Sequence, residues 1–141
     1  MAAALRNKTL ATLLAATVGC AGLHRFYLYG RRDTWGWVHA ASLPLSALGW
    51  VGRNILPPAF SIFLLSPLIV SVLAAMLEAL VLGLTPDAKW DAAHNPGVAG
   101  ATESNWLLAV ILILTLACGM GGLIFAISRA FDLIFTGGAY G

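Results

Sequence analysis

Glu78 is the residue best placed to do chemistry, because it is the one acid inside the longest apolar run, Ala59 to Leu84. An ionisable side chain in a membrane-length segment is costly, so it finds a partner or reaches outward to the headgroups. If the chain crosses a bilayer four times, the third helix ends on the side of the first connection. Glu78 then lies at the depth of His24 and Arg25, and the spacing predicts a pair between Glu78 and Arg25 or His24. The alternative leaves Glu78 reaching the headgroups alone. His24 and Arg25 have two readings: a headgroup-binding or proton-handling pair, or donors that anchor a tight turn. His39, two residues after Trp37, is either a proton relay or a hydrogen-bonding residue of a bundle interior.

Other chemical groups carry less. Asp87, Asp91 and His94 share one face if Thr85 to His94 is helical. They could hold a divalent cation with waters, but a solvated polar face is the expectation. Cys20 and Cys118 lie inside apolar runs and read as small packing residues, with no disulfide framework or metal motif. Thr17-Val18-Gly19-Cys20 has the outline of a lipoprotein cleavage box. Thr17 stands where an aliphatic is favoured and no tethering linker follows, so a retained first helix is expected. The sequon Asn7-Lys8-Thr9 lies too close to the membrane to count. No metalloprotease, nucleophile-elbow or phosphate-loop motif is present. The expectation is no enzyme, no cofactor and no resident metal.

The elements that must position these residues follow from composition. Of 141 residues, 60% are hydrophobic and 10% charged, with a mean hydropathy of +0.86. A soluble domain needs more polar cover than that. The net charge of +2 is too small, and too scattered, for nucleic acid. Four apolar runs predict spans at Thr9 to about Leu23, Trp35 to Val51, Ala59 to Leu84 and Trp106 to Ile127. Tryptophans at 35, 37 and 50 sit where interfacial anchors belong. Pro44 is expected to kink the second span. Thr85-Pro86-Asp87 reads as a helix start with threonine as the cap. The fold class expected is an all-α integral membrane protein, a four-helix bundle of two hairpins. Residues 1–56 form the first hairpin and residues 57–141 the second, with a polar loop at 85–105 and a short tail from Ser128. Small residues at helix-packing spacing mark two faces, Ala11, Ala15 and Gly19, and Cys118, Gly122 and Ala126. Under four spans, Arg6, Lys8, Arg53 and Arg129 lie on one side, and Arg25, Arg31, Arg32 and Lys89 on the other. That tie leaves orientation open.

The stretch Gly19-Cys20-Ala21-Gly22-Leu23-His24-Arg25-Phe26-Tyr27-Leu28-Tyr29-Gly30 is the most distinctive. Glycines at 19, 22 and 30 give close approach and backbone freedom, while Phe26 and Tyr27 anchor the connection. This stretch resembles the TM-two domain family, whose bacterial members are often called NINE proteins. Asn7-Lys8-Thr9, Leu13-Leu14-Ala15 and Gly36 extend the likeness over residues 6 to 52. It departs at Tyr29, which precedes the usual glycine, and after Trp50, where the family's common aspartate is missing. The resemblance implies a two-helix hairpin in a bacterial cytoplasmic (inner) membrane and says little of activity. The function expected is a structural or partner-binding membrane component, in contact with lipid and with another membrane protein or a second copy. The alternative is a transporter or channel subunit using Glu78, His39 and Arg25.

Overall fold

A computed structural model of the protein describes residues 5–140. Among these residues every regular element is helical. They are α1 (Lys8–Val18), a 3-10 turn (Gly19–Ala21), α2 (Leu23–Tyr29), α3 (Thr34–Gly52), α4 (Pro58–Leu84), α5 (Asp87–His94) and α6 (Trp106–Thr136). Two of them, α4 and α6, are long and apolar enough to cross a membrane, with mean hydropathy of 2.4 and 2.6 over their most apolar stretches.

The first apolar run does not form one through-going helix. Asn7 caps α1 by accepting from the Leu10 amide at 2.9 Å. The helix tightens into a 3-10 turn and stops at Gly22, which takes φ +74. A side chain there would meet two obstacles, the left-handed backbone and the Gly36 carbonyl oxygen, 2.2 Å from where a Cβ would stand. From Gly22 the chain reverses and α2 runs back beside α1. The Tyr27 hydroxyl accepts from the Asn7 amide at 2.8 Å, and Arg6 lies over the Tyr27 ring. Both outer ends of the hairpin meet α5: Ala11 and Leu28 pack with Trp90, and the Tyr29 ring sits 6.0 Å from His94. Its apex points inward, where a Cβ on Gly19 would stand 2.5 Å from that of Ala75.

Hence α1 runs antiparallel to α4, with Gly19 opposite Ala75 and Thr12 opposite Gly83. Ala11, Ala15 and Gly19 are all buried on this face. The expectation that the N-terminal end and the Arg53 turn share a side is therefore corrected. Arg6 meets Trp90 and Asn95 instead, at the opposite end of α4 from Arg53. The reason is length: α1 and its 3-10 extension have too few residues to pass the full height of α4 before Gly22 turns them.

Asp33 caps α3, accepting from the Gly36 amide at 2.7 Å, and α3 pairs antiparallel with α4. Ser46 donates to the Leu64 carbonyl at 3.2 Å, and a Cβ on Gly49 would stand 3.0 Å from the Ser61 carbonyl oxygen. Pro67 cannot donate to Phe63, and the Ser66 hydroxyl donates to that carbonyl instead, at 2.8 Å. The carbonyl freed by the proline is thus satisfied within the helix itself. Thr85 ends α4, its hydroxyl on the Val81 carbonyl, and Pro86 rather than Thr85 precedes the first residue of α5.

Helix α6 differs from expectation in extent and in face. It continues past Ile127 to Thr136, where Arg129 and Thr136 bind Asp132 and Gly137 closes the helix. Leu108, Ile111 and Thr115 are its buried residues, and Leu112 fills the notch at Gly83. Cys118 and Gly122 are exposed and Ala126 is only half-buried. The bulky residues beside Gly83 set the rotation of α6, and the small-residue face turns outward.

Candidate functional site

The hairpin apex places a charge cluster between α2, α3 and α4. Glu78, on α4, accepts from Arg25 NH1 at 3.2 Å on both carboxylate oxygens. Its Oε2 lies 2.5 Å from His24 Nε2, and its Oε1 lies 3.7 Å from His39 Nε2. Arg25 also binds Asp33 through two nitrogens, Nε at 2.7 Å and NH2 at 3.2 Å. Asp33 thus caps α3 and neutralises Arg25 together. His24 is fully buried and His39 nearly so, whereas the Glu78 side chain keeps 31% of its exposure. The histidine rings meet edge to face at 5.6 Å.

Deeper in the fold, His39 Nδ1 lies 2.7 Å from Ser71 Oγ. The Ser71 hydroxyl donates to the Cys20 carbonyl at 3.2 Å, one of the carbonyls that the 3-10 turn leaves without a helical partner. Network and apex are therefore one device. Gly19 and Gly22 permit the close approach, Phe26 packs on Trp37 and against Gly36, and His24, Arg25 and His39 meet Glu78. The chemistry available is the sharing of protons or a cation among two imidazoles and a carboxylate held by a guanidinium. A groove of about 250 Å³, lined by Leu28, Tyr29, Leu77, Val81 and Leu82, opens onto His24, Arg25 and Glu78.

A second polar cluster closes the other end of the hairpin. Lys8 is buried and donates to Asp87 at 2.8 Å, to the Thr85 carbonyl at 2.5 Å and to Ser104 at 3.0 Å. Hydrogen bonds from Lys8 and from the Ser104 hydroxyl and amide hold the Asp87 carboxyl down at about 2, against an ordinary 3.8. Asp91 is buried and binds Thr102 and Asn95, and Asn95 also holds the Arg6 backbone. The His94 ring lies 4.4 Å from that of Trp90, tilted by 48°. Asp87, Asp91 and His94 therefore share no ligand position. The solvated face expected of them is instead a set of bonds that folds the 85–105 loop over the hairpin.

Four of the residues singled out in the sequence, His24, Arg25, His39 and Glu78, come together. Asp33 and Ser71 join them unannounced. For Asp33 a signal existed, since an aspartate just before a helical run is a cap. Ser71 has none, being one hydroxyl in an apolar run whose partner lies 51 positions away in sequence. No family model matches this chain, and neither any curated protein nor any solved structure does.

Proposed function

We propose that this is an integral membrane protein with three through-going helices, α3, α4 and α6, and a re-entrant N-terminal hairpin. The carrying observation is that the most apolar stretches of α4 and α6 are only 17% buried inside the fold. In water, exposed Phe63, Val70, Ile113 and Phe125 would form apolar surface far beyond what a soluble monomer leaves uncovered. Helix α3, 19 residues long, has about the 30 Å reach of a hydrocarbon core. Exposed Trp35, Trp37, Trp50 and Trp106 lie at the ends of α3 and α6, where interfacial anchors belong.

This arrangement removes the charge tie. Arg6, Lys8, Arg25, Arg31, Arg32 and Lys89, six of the eight basic residues, fall on the α5 side, with Arg53 and Arg129 opposite. By the positive-inside rule the α5 side is cytoplasmic. The likeness of Gly19 to Gly30 to the TM-two motif supports a bacterial cytoplasmic membrane, and the motif serves here to turn and clamp a hairpin.

The role we assign is structural or partner-binding. The buried Ser42 hydroxyl closes on the His39 carbonyl within α3, and the buried Ser46 hydroxyl crosses to the Leu64 carbonyl of α4 and ties the seam. A transport element is the second reading, favoured by the convergence of Glu78, His39 and Arg25. Single cysteines at Leu5, Lys89 and Asn54, in a chain with Cys20 and Cys118 replaced, test the arrangement. An impermeant thiol reagent added outside intact cells should label only Asn54→Cys, while Leu5→Cys and Lys89→Cys react after the cells are opened. Joint labelling of Leu5→Cys and Asn54→Cys would restore the four-span arrangement. A stoichiometric partner in a mild-detergent purification supports the accessory role, and proton or cation flux in liposomes that Glu78→Gln abolishes favours transport.

A further inference from the structure

We propose that His24, His39 and Glu78 form a binding site for a divalent transition-metal ion of the zinc class. One donor atom from each lies within 4.8 Å of the others. Two imidazoles and a carboxylate are a donor set that zinc and its first-row neighbours take.

Neighbouring groups set the His39 tautomer. Ser71 has a single hydroxyl proton, and it goes to the Cys20 carbonyl at 3.2 Å. The Ser71 oxygen then accepts from His39 Nδ1–H at 2.7 Å, which leaves a bare lone pair on Nε2. That lone pair faces the Glu78 carboxylate across 3.7 Å. Two acceptors facing each other in a buried site repel, and a cation between them converts the repulsion into two bonds. Donors on one tetrahedral ion with bonds near 2.1 Å stand roughly 3.4 Å apart, so this pair needs little movement.

His24 supplies the third bond. Its Nε2 exchanges the hydrogen bond to Glu78 for the ion, and its proton moves to Nδ1, which is buried without a partner. Arg25 does not oppose the ion with a full charge, because Asp33 holds it through two nitrogens. Its remaining NH1 steadies the Glu78 carboxylate. Such outer donors orient metal ligands, as Ser71 orients His39. The groove beside Leu77 and Val81 gives an ion its entry and leaves a further coordination position for water. The site does not depend on the accessory role.

The test uses tag-free, full-length protein in detergent micelles, stripped with a chelator and titrated with Co²⁺, then with Zn²⁺ in competition. The expected result is one Co²⁺ per chain, with visible ligand-field bands that Zn²⁺ removes. His39→Gln should abolish those bands. Ser71→Ala, which keeps all three ligands, should weaken binding about 10–100-fold without loss of helical content. That second variant decides the matter should His39→Gln fail to fold. The proposal is overturned if folded wild-type protein takes up neither ion, if folded His39→Gln binds as tightly as wild type, or, where His39→Gln does not fold, if Ser71→Ala binds as tightly as wild type.

Discussion

At the scale of single residues, Glu78 is the hub, since three basic side chains converge on it from two other elements. Glu78→Gln keeps the size and removes the charge, and Arg25→Ala removes the partner. Because the two side chains touch, their destabilisations should fail to add, with a coupling of about 0.5–3 kcal/mol in a double-mutant cycle. Unfolding in mixed micelles reads this out, and full additivity would separate the two residues. Gly22 and Gly30 make a second comparison. Both hold positive φ, but only Gly22 has backbone within reach of an added Cβ. Gly22→Ala carries the left-handed cost of about 1–2 kcal/mol and Gly30→Ala, at φ +80 and ψ -179, a strain of about 1–3 kcal/mol, so the added backbone clash at Gly22 should make Gly22→Ala the worse in the same assay.

Elements are held by residues far from the hub. Trp90 is the largest side chain with under 2% exposure, and its indole donates to the Arg6 carbonyl at 3.0 Å. Trp90→Ala should cost about 3–5 kcal/mol, as large aromatic deletions do. It should also speed proteolysis in 85–105 and at Arg6, because α5 loses its hold on the hairpin. The Lys8–Asp87 bond gives the same contact a pH dependence. Asp87 is held at about 2 in the fold, against an ordinary 3.8. The unfolded chain therefore binds the proton more readily, and stability from this bond is complete above about 3.8. It declines as pH falls toward 2. In Asp87→Asn that part of the acid sensitivity should vanish, which a comparison of melting temperatures at pH 5 and pH 2.5 would show. An unchanged slope would mean that other carboxyls carry it.

The whole molecule is asymmetric, with six basic residues at the α5 end and two at the other. The proposed three crossings would put the ends of the chain on opposite sides. A reporter enzyme that works only outside the cytoplasm should be active when fused after Gly141. A reporter that works only inside should be silent there. The opposite pattern would point to an even number of crossings or an inverted insertion.

Much of this could be read from residue order alone, because it depends on local chemistry. Apolar runs bounded by Trp35, Pro58, Leu84 and Trp106 set where α3, α4 and α6 begin or end, and an acid inside an apolar helix calls for a partner wherever that partner lies. The path of residues 8–29 was not legible. A short apolar run reads as a span by composition, whereas Gly22 reverses it at positive φ, and the turn fits the fold only because Gly19 and Gly22 offer no side chain to Ala75 and the Gly36 carbonyl. The face of α6 was likewise settled by Leu108, Ile111 and Leu112 filling the space beside Gly83, not by the spacing of Cys118, Gly122 and Ala126. Periodicity gives a helix its length and its stripes, whereas which stripe turns inward depends on the shape of neighbours distant in sequence. Ser71 joined the cluster for the same reason, since a hydrogen bond across the fold leaves no mark on the residues around either partner, whereas Asp33, a local helix cap, left the signal of its place before α3.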